Sequence, residues 1–298
     1  MKKLLTAVAG AALLATSSLA LVPAVAKDTM QAGHFQAVKL DKILEAQPES
    51  TKARYPFRHP KETLEFLGIA PGMTVVDALP GGYYGNILVP YLGDEGGLYG
   101  VQYSLKHRGT DWATREDKDD RLANHKNWPE RFKKNVGEWT GDSKIKTGGF
   151  LFGDVPAELE GKVDAFLLFR AMHHLNKHED TTGTRTDAIA DIYKALKPGG
   201  IVGIVQHRAP ENADDDWAKG FNGYVKQSVI IDAMKAGGFE LVATSEINAN
   251  PKDQPVEGDF VWRLPPVLAG SRDDAEKRAK MQAIGESDRM TLKFRKPM

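Results

Sequence analysis

The 298-residue chain contains no cysteine. That excludes disulfides, thiolate metal ligands and a cysteine nucleophile, so the fold has to be held by its core alone. Nor is there an excess of charge of either sign. Forty Lys and Arg balance forty Asp and Glu, which removes the electrostatic case for a nucleic-acid partner. Long apolar runs are equally scarce. The one such run, Leu4 to Leu21, follows Lys2 and Lys3 and precedes Ala24-Val25-Ala26, a small-x-small cleavage site. This is the pattern of a signal peptide over residues 1–26, cleaved after Ala26, and it places the mature chain in the periplasm or outside the cell. An uncleaved anchor is the alternative reading of the same run, although Ala, Gly, Thr and Ser dilute it. No later segment is long and apolar enough to span a bilayer, so the mature chain is expected to be soluble with no stable membrane insertion. Cleavage leaves 272 of the 298 residues, sufficient for one large α/β domain, and losing Lys2 and Lys3 shifts the net charge to about −2.

What is present is a regular alternation. Residues 27–60 are polar except for one amphipathic stretch, Leu40 to Ala46, and read as an N-terminal helical extension; the main domain is expected over residues 61–298. Pro60 suits a helix first turn, ahead of Thr63 to Leu67 and the Pro71-Gly72 turn. Strands are expected at Met73 to Asp77, Gly97 to Tyr103, Phe150 to Phe152, Val163 to Phe169, Ile201 to Gln206, Phe239 to Ser245 and Arg289 to Arg295. The run VDAFLLF is continuously apolar, as a strand buried on both faces requires. Helices are expected at Asn86 to Tyr91, Thr186 to Leu196 and Gln227 to Ala236. This order predicts a doubly wound, mostly parallel, seven-stranded sheet with an antiparallel edge hairpin. Two segments break the rhythm: 106–147, rich in charge and tryptophan and expected to be a helical insertion, and 248–284.

The most informative stretch is MTVVDALPGG, Met73 to Gly82. A strand that ends in an acid and breaks into Pro and paired Gly before a helix lets backbone N–H groups approach a ligand closely. In a doubly wound sheet ligands lie beyond the carboxyl ends of the strands, which nominates the residues after Asp77, Val101, Phe152 and Phe169. With LYGV some twenty residues on, then GD, FLLFRAMHHL and LKPGG in that order, the chain from Arg58 onward resembles class I S-adenosylmethionine-dependent methyltransferases, in particular a group of exported predicted methyltransferases.

The resemblance implies a Rossmann-like methyltransferase fold, S-adenosylmethionine as cofactor, and methyl transfer to a small-molecule or envelope acceptor. It implies donor contacts from Asp77, Pro80, Gly81, Gly82, Tyr83, Gln102, Asp154 and Arg170. Asp77 would approach the amino-acid portion, Gln102 the ribose, Asp154 the adenine, and Arg170 the sulfonium region. Two departures from the family pattern stand out. Leu79 and Tyr83 occupy places that are usually glycine, and Gln102 stands where a carboxylate usually accepts both ribose hydroxyls. A neutral amide there forgoes charge assistance of about 1–2 kcal/mol. These departures favour the alternative of a binding protein that kept the fold and lost catalysis.

His173 and His174 follow the fourth strand and are the catalytic candidates, either able to take a proton from an acceptor hydroxyl or amine. A structural hydrogen bond and a metal site drawing on His178, Glu179, Asp180 and His207 are the other readings. Adjacent histidines do not chelate unaided, so no metal is assigned. The acceptor and the oligomeric state are not written in the sequence.

Overall fold

The computed structural model describes residues 36–298. The expected signal peptide, residues 1–26, lies outside the described residues. The chain divides into two compact units, Met1–Val38 and Lys39–Met298, and the second contains the whole sheet. Among the described residues no helix is long and apolar enough to cross a membrane.

Strands β1 (Thr74–Ala78), β2 (Gly97–Gln102), β3 (Lys146–Leu151), β4 (Val163–Phe169) and β5 (Leu196–Ala209) run parallel in the spatial order 3-2-1-4-5. A two-residue strand, β6 (Val225–Lys226), adds to the end of β5 and makes the sheet eight-stranded where seven strands were expected. β7 (Glu240–Ser245) and β8 (Arg289–Arg295) complete the sheet in the order 5-8-7, with β8 antiparallel to both neighbours. The sheet is doubly wound and mostly parallel, with its switch point between β1 and β4. Ligands in such sheets lie beyond the carboxyl ends of the strands at that point.

Alternation along the central strands fills two apolar layers. Val76, Ala78, Phe166, Leu168, Val202 and Ile204 face one core, under helices Thr184–Ala195 and Gln227–Ala236. Val75, Ala165, Leu167 and Phe169 face the other, under helices Pro60–Leu67 and Gly82–Leu92. Two-sided burial explains why β4 reads as an unbroken apolar run.

Three elements differ from expectation. The helix after β1 begins at Gly82, not Asn86, so the Pro-Gly-Gly turn is itself the helix N-terminus. β3 begins at Lys146, four residues before the expected start. Its Lys-Thr-Gly-Gly opening has no strand pattern because the glycines seat aromatic rings: a Cβ at Gly148 would lie 2.9 Å from Tyr99, and one at Gly149 3.0 Å from Phe132 and Trp128. β5 absorbs the LKPGG segment, with a register shift against β4 and Gly199 at positive φ.

Residues 105–140 are mostly helical, with helix Trp128–Asn135 packed on β3 and a short helix, Gly137–Thr140, following it. The latter carries Trp139, whose ring lies so close to Gly85 that a Cβ there would sit 2.3 Å from it. Gly85→Ala is therefore expected to cost about 1–3 kcal/mol by overpacking, read as a lowered melting temperature. An unchanged melting temperature would show that Trp139 is free to move aside.

Candidate functional site

The chain turns sharply at the carboxyl ends of both strands flanking the switch point, and by the same device. Leu79 follows β1 with φ 56°, and Arg170 follows β4 with φ 57°. Each N–H continues the ladder to the neighbouring strand, Leu79 to the Val101 carbonyl at 2.8 Å and Arg170 to the Val205 carbonyl at 2.6 Å. A side chain in the left-handed region costs roughly 1 kcal/mol or more, and such strain concentrates at functional sites. Leu79 thus holds the conformation for which a glycine would ordinarily be chosen.

Beyond Leu79, Pro80 leans across β2, where its ring would lie 2.9 Å from a Cβ on Gly100. This is why LYGV carries its glycine. Gly81 is exposed and extended and caps the helix Gly82–Leu92, whose first turn has neither an acidic residue nor a side-chain cap. Nothing lies within 4 Å of a Cβ built on Gly81. The first-turn N–H groups of this helix have no partner within the helix and point with the positive end of its dipole into that open space. Trp139 closes one flank, its indole nitrogen 3.5 Å from the Cβ position of Gly82.

Asp77 lies one turn of chain below, 4% exposed, and its carboxyl makes no hydrogen bond among the described residues. Burial pushes its pKa up to about 7, against the pull of the Arg170 guanidinium. Tyr84 covers the same face, stacked on Phe169 with ring centroids 4.0 Å apart. Tyr83, half-buried, takes the Arg58 guanidinium over its ring at 4.5 Å.

Gln102 ends β2, half-buried, with its side-chain oxygen accepting the Tyr103 N–H at 3.1 Å. Its amide nitrogen has no partner among the described residues. Asp154 stands exposed at the rim beyond β3, its carboxylate without a hydrogen bond there; the Gly153 N–H beside it is taken by Asp191 at 2.5 Å. The structure therefore brings Asp77, Pro80 to Tyr83, Gln102 and Arg170 to adjoining strand ends, with Asp154 at the outer edge.

His173 is 3% exposed. Its backbone N–H and its Nδ1 both reach the Gln206 Oε1 at 3.1 Å. The Gln206 amide nitrogen donates to the Gly223 carbonyl at 2.8 Å, which fixes Oε1 as the acceptor and the histidine Nδ1 as the protonated nitrogen. Its Nε2 is a buried acceptor with no partner. His174 packs against it, ring centroids 3.9 Å apart, and His207 lies 5.4 Å away with its Nδ1 2.6 Å from the Ser287 hydroxyl. Burial lowers all three: His173 to about 4, His174 further with help from the His173 charge, and His207 well below its ordinary value. At neutral pH they are uncharged.

The acidic and histidine run after His174 does not gather around one point. His178 meets Asp111 at 2.7 Å, Glu179 caps residues 185 and 186, and Asp180 pairs with Lys219 at 2.8 Å. His107, Asp111 and His178 do converge, their ligand atoms within 4.8 Å of one another. Lys177, however, already holds the same Asp111 oxygen at 2.6 Å, and Arg108 holds the other at 3.2 Å. Burial works to raise the Asp111 pKa and the hydrogen bonds from His107, Lys177 and His178 outweigh it, so the carboxylate is ionised and already neutralised.

Sequence reasoning missed the arginines. Arg54, Arg58 and Arg289 converge on the buried Glu286: Arg54 at 2.5 Å, Arg58 at 3.2 Å and Arg289 at 2.5 Å. Arg54 and Arg58 lie more than 200 residues along the chain from Glu286 and Arg289, which leaves no local pattern. Arg54 and Arg58, together with Arg170, line a cavity of about 220 Å³ beyond the ends of β4 and β5. Its other wall is His207, Trp262, Leu264 and Pro265 to Val267.

No family model matches the chain, and no curated protein matches it. Among solved structures it is similar to the [4+2]-cyclase SpnF, at 15% identity and a TM-score of 0.48, over 81% of this chain and 80% of that one. It is similar to a SAM dependent methyltransferase from Aquifex aeolicus, at 16% identity and a TM-score of 0.44, over 70% and 93% of the two chains. A third similarity is to a putative sarcosine dimethylglycine methyltransferase from Galdieria sulphuraria, at 13% identity and a TM-score of 0.48, over 85% and 90%.

Proposed function

We propose that the protein is an S-adenosylmethionine-dependent methyltransferase, exported and processed after Ala26, acting on a small-molecule or envelope acceptor. The observation that carries the reading is the open, uncapped helix N-terminus at Gly81, placed directly beside a buried carboxyl, Asp77, at the switch point of a methyltransferase-type sheet. The donor carries a carboxylate, an amino group and a sulfonium. The carboxylate suits the helix N-terminus and the two cationic groups suit Asp77. Its ribose would meet Gln102 and its adenine the rim at Asp154.

In this reading the acceptor's nucleophilic atom attacks the methyl carbon in line with the breaking C–S bond. The bonding pair passes to sulfur, which leaves as a neutral thioether. The sulfonium is already activated, so the enzyme's work is positioning and the exclusion of water. In this reading the unpartnered Nε2 of His173, set among neutral rings, takes the proton lost by a hydroxyl or amine nucleophile.

The reading is tested by thermal unfolding of residues 27–298 with S-adenosylhomocysteine at a hundred times a micromolar dissociation constant. Linkage predicts about 2.7 kcal/mol of stabilisation at that ratio, and so a melting temperature raised by several degrees. No shift with either the product or S-adenosylmethionine would overturn it. A second reading, a binding protein without catalysis, draws on Gln102 and on Trp139 over Gly82, both of which weaken a donor's hold.

A further inference from the structure

Three of the four arginines around Glu286 line the cavity beyond β4 and β5, and they are not equally used. Arg54 gives Nε and one terminal nitrogen to Glu286, and Arg58 gives only its Nε. Arg289 is spent on Glu286, Ser287 and the Phe57 carbonyl. Arg170 makes no side-chain hydrogen bond or ion pair among the described residues, although it is mostly withdrawn from water. Four guanidiniums thus stand against one ionised carboxylate, Glu286, with Asp77 poised near neutrality. Burying cations in such excess is costly unless an anion compensates them. A sulfonium beside Arg170 would add to the excess, so Arg170 is not suited to facing that cation directly.

The opposite wall is apolar: Val261, Trp262, Leu264 and the prolines at 265 and 266. The volume, about 220 Å³, is below the roughly 300–1,000 Å³ of pockets for drug-sized ligands. We infer that this cavity binds a small organic acid, its oxyanion held by Arg170 and the free nitrogens of Arg58 and its short apolar body packed against Trp262 and Leu264. Resting on the reading as a methyltransferase, that acid is the class of acceptor, seated across Arg170 from the donor turn. Guanidinium groups are the natural partners of a carboxylate or phosphate oxygen pair.

The test is calorimetric titration of residues 27–298 with benzoate and with benzamide, its uncharged analogue, alone and after saturation with S-adenosylhomocysteine. Benzoate is expected to bind about tenfold or more tightly than benzamide, since hydrogen bonds to a charged group are about twice as strong as neutral ones. Arg170→Gln is expected to lose that preference. Val267→Glu provides a variant that does not threaten the fold, because Val267 lines the cavity mouth at 56% exposure; the added negative charge is expected to weaken benzoate and spare benzamide. Equal affinity for the two probes, or benzoate binding indifferent to both substitutions, would overturn the inference. Benzoate binding abolished by saturating S-adenosylhomocysteine would also overturn it, by showing that the arginines hold the donor's own carboxylate. Benzoate selectivity in a protein that ignores S-adenosylhomocysteine would uphold the anion site and refute only the methyltransferase reading.

Discussion

Gly81→Leu abolishes donor binding, with affinity for S-adenosylhomocysteine reduced about a hundredfold or more and the melting temperature unchanged. The separation of the two effects is what makes the result informative. Gly81 is extended, not left-handed, and a Cβ built there meets nothing within 4 Å, so the substitution disturbs neither backbone nor packing. The side chain instead fills the space into which the first-turn N–H groups of Gly82–Leu92 point. Calorimetric titration beside thermal unfolding reads both quantities. Retained affinity in a folded variant would place the donor elsewhere.

Asp77→Asn is the second large effect, and it reverses sign between stability and binding. In the folded chain the carboxyl is raised from 3.8 to about 7 by burial. The folded state therefore holds a proton that the unfolded state gives up. The stability contributed by this group is present below about pH 4 and lost as the pH rises to about 7. At 1.36 kcal/mol per unit, the loss by pH 8 is about 4 kcal/mol. Asn cannot ionise, so the variant is expected to be more stable than wild type by about that amount at pH 8, and the two should converge near pH 4. Donor affinity moves the other way. A ligand with amino and sulfonium charges favours the ionised carboxyl, so wild-type affinity should climb by up to about tenfold per unit as the pH rises to 7 and then level off. Asn should remove that slope and weaken binding. The three buried histidines near the site titrate well below 7, which leaves Asp77 as the group an apparent pKa near 7 reports. A slope that persists in Asp77→Asn would assign the titration to another group.

Local pattern carried most of the fold. VDAFLLF is apolar because β4 is covered on both faces, and MTVVDA ends where a turn must begin. The errors fell where packing from afar decides local form. β3 opens on Lys-Thr-Gly-Gly, unlike a strand, because Tyr99, Phe132 and Trp128 supply the bulk that its own residues lack. The helix after β1 starts four residues earlier than its apolar spacing suggested, since Gly-Tyr-Tyr-Gly is a poor helical signal that the turn geometry overrides.

Of the candidate site, only the part at the β1 turn was legible. The acid, proline and paired glycines from Asp77 to Gly82 are contiguous in the chain, so their chemistry can be read together. The arginine cluster is built from residues 54, 58 and 289, joined by a carboxylate at 286, with Arg170 on the same cavity, and no window of sequence contains it. The histidine run shows the converse, that closeness in sequence need not become closeness in space. His173 to Asp180 are close in sequence, yet His173 turns to Gln206 while His178 turns to Asp111.

The most direct test of a donor site at the β1 turn is the crystal structure of residues 27–298 with S-adenosylhomocysteine. The amino-acid portion is expected over Leu79 to Gly82, the ribose at Gln102 and the adenine toward Asp154. Product bound away from the β1 turn, or a turn filled by Trp139 with no product at saturation, would contradict it.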